Sequence, residues 1–546
     1  MAYTKEPEVS THNVFDIPAV GSQTYTSHTR NWVAQQGQRY INCFPQPKFM
    51  VGDKPDFKLL KAPPLVTLET TIGITPATTG VINCFDRETY LFAKDKYIYR
   101  LETSGDVVLR ETHETSDTIF RSMQKVMDYS GNGHAIVAGV FSNSGGYYAY
   151  TYNDTTDSLT TSSALVTLAH GATLKSLFVD GYHVIGNLTL GRVFTSGQGA
   201  YTTFATSTDY FVPEIEADGL IDIHKHKNTI CCLGKSSIEF FYNNANKIGS
   251  PFSRHEDLTI KVGAIDQTKT IADGDDIYFI GQAPNSGLAV WRIRNFQAEK
   301  ISDDYLNFLL NNELDVGNPQ AINSATLGMI DIYGNVSFAM TIQTADLTYR
   351  TFVFNEKAKI WWEWARSDAN QLYNSYALLN YMGGRPIYIS GSFIGTDYWT
   401  TDYATTGYVS GEGTQLSSTM SVTKMELTSN SVKYTFFSKQ PGIAASTAEF
   451  YTDLQDLDTT NRKHIKAVDA VGDYGDNTVE LAFTKNADYS NWTTLQLRNP
   501  TTIGKEYPVR WTNLCLARQV AFRVRFRGMS GVAHNSLRVA FNKHLN

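Results

Sequence analysis

The chain has 546 residues, 42% of them hydrophobic and 18% charged, with a formal net charge of −7. That length allows two or more cores, and the composition excludes a disordered, self-repelling polymer. The acidic balance argues against tight wrapping of nucleic acid, whose affinity comes mainly from Lys and Arg on phosphate.

No run of about 18 apolar residues offers a membrane span. The start, Met1 to Val9, is charged and polar, without the apolar stretch of a secretory signal. Cys43, Cys84, Cys231, Cys232 and Cys515 are odd in number and form no C-x-x-C pair, which fits a chain made in a reducing cytoplasm. Vicinal Cys231 and Cys232 lie in an apolar stretch and read as two buried thiols. The 31 Tyr and 29 Phe favour half-buried, pleated surfaces.

Residues 1–65 are rich in Pro and polar residues and read as an extended arm. From about residue 66, short strand-like runs alternate with Gly, Asp and Asn turn signals. In chain order these include Lys96 to Leu101, Gly133 to Ala138, Ser176 to Val179 before Asp180-Gly181, Ile238 to Tyr242 and Asp276 to Gly281. Only Asp303 to Asn312, with Tyr305, Leu306, Phe308, Leu309 and Leu310, looks helical. The fold class is therefore all-β. A loose repeat over 66–408 accommodates about six or seven propeller blades at roughly 40–50 residues each, and radial repetition is one way a long meander protects its edges.

From 409 the texture shifts to Thr, Ser, Asn and Asp, with strands expected at Ser431 to Phe437, Thr478 to Phe483 and Val520 to Phe526. Residues 409–546 hold 16 Lys and Arg against 12 Asp and Glu, a charge of +4, which leaves −11 on residues 1–408. This asymmetry predicts a separate, sandwich-like C-terminal β-domain.

Several stretches, in order, resemble one family. They are Gln38-Arg39-Tyr40-Ile41-Asn42-Cys43-Phe44-Pro45, Leu59 to Leu65 (with Pro64 where the family has Gly), and Leu177 to Tyr182. Then come Gly234 to Asn243 with its Ile238-Glu239-Phe240-Phe241-Tyr242 core, Ser250-Pro251-Phe252-Ser253-Arg254, Tyr349 to Glu363 including Trp361, and Val509-Arg510-Trp511. Together they resemble the packaged-DNA stabilisation, or tail hub (nozzle), proteins of short-tailed bacteriophages. The resemblance implies a β-propeller body and a homo-hexameric ring. It also implies a non-enzymatic virion component that binds the head-to-tail adaptor ring, retains packaged DNA, lines the exit channel for viral DNA and anchors tail fibres or spikes. No cofactor is implied.

Other readings compete at individual residues. Glu239 among aromatics could be an acid with a raised pKa, but a structural carboxylate bonded to a neighbouring blade is expected. Asp222, His224 and His226 fall on one strand face, as a metal comb would; a solvated face explains them equally. Trp361, Trp362 and Trp364 could stack on sugar, although packing between blades is expected. Asn486 to Trp492 resembles the Asp-box turn of sialidase-like propellers, where the Asp ties a turn. Arg523, Arg525 and Arg527 alternate with Phe522, Val524 and Phe526, so they form a stripe: an ordinary solvated face, or a candidate interface with an acidic neighbour or DNA phosphate. Signatures for nucleotide hydrolysis, a nucleophile elbow and a zincin are missing. The rival reading from another class is a carbohydrate-binding or carbohydrate-cleaving propeller.

Overall fold

The computed structural model describes 13–18, 39–47 and 57–62, and the strand backbones between 66 and 161. It then describes 174–364, apart from 206, 214–217, 314–324, 333–334 and 344–348, and strand backbones between 366 and 424. Finally it describes 446–543, apart from 458–460, 487–490, 501–507 and 529–531. The strand expected at 431–437 and the Asp-box turn lie outside the described residues.

Two compact units emerge. One gathers Met1–Leu65, Phe352–Ser375 and Met425–Asn546, and the other gathers Val66–Thr351 and Tyr376–Lys424. In the second unit, antiparallel meanders follow one another along the chain. Ile82–Cys84 to Val107–Thr112 forms a four-stranded sheet, as does Thr118–Met127 to Ser158–Thr161. Further sheets run from Leu174–Val179 to Tyr210–Phe211, from Leu220–His226 to Phe252–Ile260, and from Gly263–Ala264 to Gln297–Lys300. Val66–Ile72, the first strand of this unit, then pairs with Ser418–Lys424, completing the sheet formed by Ala377–Tyr381 and Ile387–Phe393. Joining the first strand to the last sheet closes the unit on itself by hydrogen bonds and removes two open edges.

Local chemistry accounts for these hairpins. Asp180 and Gly181 both adopt positive φ, 50° and 81°, as a two-residue turn of the primed type requires, and Val179 faces Tyr182 across it. The runs Leu220–His226, Thr229–Gly234 and Ile238–Asn243 are apolar on both faces because their meander is covered on both. Ile223, Ile230, Cys232 and Phe241 pack against Leu177, Val184 and Val193 of the preceding sheet. Cys231, Leu233, Ile238 and Phe240 pack against Ile277, Phe279 and Ile293 of the following one. Neighbouring Cys231 and Cys232 thus serve opposite cores, as the period of two dictates, and both thiols are free and buried. Full burial of an Ile or Phe side chain in these cores stabilises by roughly 1.5–3 kcal/mol. Gly263 has no alternative: a Cβ there would lie 1.8 Å from the Lys235 carbonyl oxygen.

The expected helix over 303–312 is shorter as an α-helix. Asp303 caps Asp304–Phe308 by accepting from the Leu306 N–H at 2.8 Å, and the turn continues as a π-helix over Leu309–Glu313. Burial raises the Asp303 carboxyl to about 6, against the pull of the N–H groups it accepts from.

In the first unit, the long strand Ala533–Lys543 pairs with Lys463–Asp473 on one side and with Phe57–Lys61 and Asn13–Pro18 on the other. A second sheet orders Ile360–Trp364, Arg39–Ile41, Ser446–Tyr451, Ala521–Gly528, Thr478–Thr484 and Gln496–Arg498. Aromatic rings from both sheets meet between them: Phe450 lies 4.7 Å from His534, and Tyr474 stacks on Phe526 at 5.6 Å. The Tyr474 hydroxyl reaches His534 Nδ1 at 2.8 Å, which satisfies a polar group that burial would otherwise penalise.

Candidate functional site

The Gly234 to Arg254 stretch is a packed structural motif. Asp218 Oδ2 accepts from the Ser236 N–H at 2.7 Å, the Ser236 hydroxyl at 2.8 Å and the Ser237 N–H at 2.9 Å. Gly234 leaves room for that carboxylate, since a Cβ there would meet Asp218 Oδ2 at 2.6 Å. Glu239, 3% exposed, has its ion-pair partner on the adjacent strand of its own sheet: Arg254 Nε lies 2.8 Å from Oε2, with the N–H not aimed along the contact. The guanidinium also lies 5.7 Å from the Phe241 ring centre. Ile238, Phe240, Pro251 and Phe252 are buried, whereas Tyr242 is half-buried against His255 at 4.5 Å.

Asp222, His224 and His226 are buried, not a solvated face. Asp222 Oδ1 accepts from the Ile223 N–H at 2.8 Å; Oδ2 meets Lys175 at 3.3 Å, His224 Nε2 at 3.0 Å and the Thr270 hydroxyl. Burial opposes its ionisation, yet Lys175, His224 and Thr270 together hold it at about 2. Burial also lowers His224. His226 Nδ1 lies 2.5 Å from the Asp275 carbonyl, which can only accept, and Nε2 lies 3.1 Å from the Phe296 N–H, which can only donate. Both ring nitrogens are therefore engaged and the ring is neutral, leaving no lone pair for a metal. The three side chains tie three successive meanders together through Lys175 and Thr270. Among the described residues no group of three His, Cys, Asp or Glu is arranged to hold a metal ion.

In the first unit, the arginine stripe is half-buried and paired with carboxylates. Glu449, 1% exposed at the side chain, receives Arg523 at 2.9–3.0 Å, Arg525, and the Tyr451 hydroxyl at 2.7 Å. Glu480 faces Arg525 at 3.8 Å and Arg527 at 3.3 Å. Arg39 grips Glu363 through two parallel bonds of 2.6 and 2.8 Å, a geometry that favours charge-assisted pairing. Arg39 and Arg523 flank Tyr451, 5.9 and 5.4 Å from its ring centre. One sheet face therefore carries the ladder Glu363, Arg39, Tyr451, Arg523, Glu449, Arg525, Glu480, Arg527. Burial disfavours the Glu449 charge, but its arginines overcome this and hold its carboxyl below the usual range.

The other motif residues support this sheet. Asn42 takes φ 54°, its side chain donates to the Thr447 carbonyl at 3.1 Å, and its N–H donates to the Glu363 carbonyl at 2.8 Å. The Pro45 carbonyl accepts from Asn355 at 3.0 Å. Trp361, Trp362 and Trp364 are buried within this unit, Trp362 against Phe44 at 6.0 Å, and so are closed to a stacked sugar. Trp511 is fully buried and donates to the Gln496 carbonyl at 2.9 Å. Asp218, Tyr451, Glu449 and Glu480 were not singled out from sequence. The Asp218-Gly219 pair signals a turn, but no local pattern links the glutamates to arginines far along the chain.

Wherever side chains are described, then, the polar residues of these motifs hold strands together. A family model described as "Bacteriophage P22 Gp10, beta-propeller" matches residues 66–392, more than half of the chain. The chain belongs to this phage-stabilisation family. The family makes it an all-β propeller protein and a structural protein of the phage tail, a virion component. The matched segment holds the five meanders between residues 82 and 300 and the Gly234 to Arg254 motif; Ser418–Lys424, which completes the closing sheet, follows it. No curated protein matches the chain. Among solved structures it is similar to the six-bladed propeller lectin of Aleuria aurantia, at 10% identity and TM-score 0.31, covering 54% of this chain and 96% of the lectin. It is also similar to an exo-β-1,3-galactanase of Phanerochaete chrysosporium, at 10% identity and TM-score 0.24, covering 78% of this chain and all of the enzyme. Likenesses this distant do not bear on activity. No helix among the described residues is long and apolar enough to cross a membrane.

Proposed function

We propose that this member of the phage-stabilisation family is the hub, or nozzle, of a short phage tail. Identical subunits form a ring on the DNA exit path, seat on the head-to-tail adaptor, keep packaged DNA in, and offer their outer surface to tail fibres or spikes. Family membership carries the reading. The polar residues that resembled catalytic or metal-binding groups support it, because Glu239, Asp222, His224 and His226 all hold strands in register. The charge balance fits as well: residues 1–408 carry −11, and a weakly negative wall repels duplex DNA and lets it slide. A wall of free arginines would grip phosphate, whereas Arg523, Arg525 and Arg527 are paired with carboxylates. The protein acts as scaffold and conduit and not as an enzyme. Gold-labelled antibody against the chain should decorate the tail of intact virions at the head–tail junction. Decoration of the capsid shell, or labelling seen only in lysate and never on virions, would overturn the assignment.

A further inference from the structure

The long strand Ala533–Lys543 carries two N-terminal strands end to end along one side, and they are held very differently. Phe57–Lys61 pairs at Leu59 with His534 and at Leu60 with Ala533. It is locked by side chains: Leu59 is 1% exposed, and buried Lys61 donates to Asn477 Oδ1 at 2.9 Å and to the Gly528 carbonyl at 2.7 Å. Asn13–Pro18 pairs over six residues, from Asn13 with Phe541 to Pro18 with Ser536. Among its described side chains Ile17 is buried, while Val14 is 56% exposed. Its ion pair between Asp16 and Arg538, at 3.1 Å, is open to solvent on both sides. This strand is held chiefly by its backbone ladder.

Residues 19–38 connect it to Arg39. A segment of that length spans at most roughly 66–72 Å when extended, enough to carry Asn13–Pro18 to an adjacent molecule. The contacts made there would be the same in cis and in trans, so only the local concentration of the strand decides between them. Exchange of an identical element is a low-cost way to join copies of one chain. We propose that the side of Ala533–Lys543 between Ser536 and Phe541 is a strand-binding site whose occupant in the assembled tail is Asn13–Pro18 of a second copy. This rests on the ring assembly proposed above. Each subunit then gives one strand and accepts one, a heterologous contact that closes into a ring.

Cross-strand partners suit the test, because directly opposed residues have Cα atoms about 4.5–5.5 Å apart, inside the range of about 4.4–6.8 Å that a disulfide spans. Asp16→Cys and Arg538→Cys are made in separate full-length chains and co-expressed, then oxidised mildly and run without reductant. A dimer band that appears only in the mixture, is missing from each variant alone and is lost on reduction is expected. A mixture that stays monomeric, while the double variant closes within one chain, would place the strand in cis and overturn the proposal. So would failure of both to close, since the pairing itself would then be absent. Imaging the same samples separates the two claims: rings without inter-chain cross-links refute the exchange and leave the ring standing.

Discussion

Replacing Glu449 with Gln tests the charge ladder at its centre. The side chain is 1% exposed and receives two guanidiniums and a phenol hydroxyl. Gln keeps the shape and removes the charge, leaving Arg523 and Arg525 packed on the sheet without their shared counter-ion. Removing one partner of a buried pair costs about 3–5 kcal/mol. Arg523 and Arg525 keep 23% and 15% exposure, so water repays part of this and the lower end, about 3 kcal/mol, is expected. For a body of roughly 150–250 residues each kcal/mol moves the midpoint by about 2–4 °C, so the transition of this unit should fall by roughly 6–12 °C. Differential scanning calorimetry suits the measurement, because two units need not melt as one. Adding Arg525→Gln to the variant should recover part of the loss, since contacting residues couple. A single variant melting within about 2 °C of the parent, with no coupling in the double variant, would refute the ladder as a stabilising device.

Phe240, fully buried between two meanders, should cost about 3–5 kcal/mol when cut to Ala; a midpoint shifted by under about a degree would show that the site collapses or is not packed. Burial holds Lys61 at about 7 in the folded protein, against an ordinary value of 10.5. The unfolded chain therefore binds more protons between those values, so stability rises as pH climbs from 7 toward 10.5, and the penalty is complete below 7. Lys61→Met should flatten that slope in melts taken from pH 7 to 10, and an unchanged slope would dismiss the effect. Chelator treatment should leave melting unchanged, because both His226 nitrogens are engaged; stoichiometric zinc that is lost in His224→Ala would contradict this.

The runs of the Leu220–Ile260 meander were legible in the sequence because they are apolar on both faces. Ile238 and Phe240 could thus be assigned to one core and Phe241 to the other, as the two clusters have it. Tyr242 was harder, since it sits where the strand leaves the core and its ring meets His255. The helix was legible from its apolar spacing, but its change to a π-turn was not, because that depends on tertiary packing. Asp222, His224 and His226 show the main limit. Three polar residues on one strand face look solvated until Lys175 and Thr270, from other meanders, arrive to satisfy them. The solvated reading of the arginine stripe missed its partners in the same way: Glu449 and Glu480 lie on the two strands that flank it in space and distant from it in sequence. Backbone periodicity is local, whereas compensation of buried charge is not.

The claim that this propeller protein works as a tail hub is tested most directly by averaging electron micrographs of the purified full-length chain, alone and with its adaptor ring. The account predicts a ring of six-fold symmetry with an open axial channel that admits duplex DNA. Isolated subunits under both conditions, or an assembly with no axial opening, would contradict it.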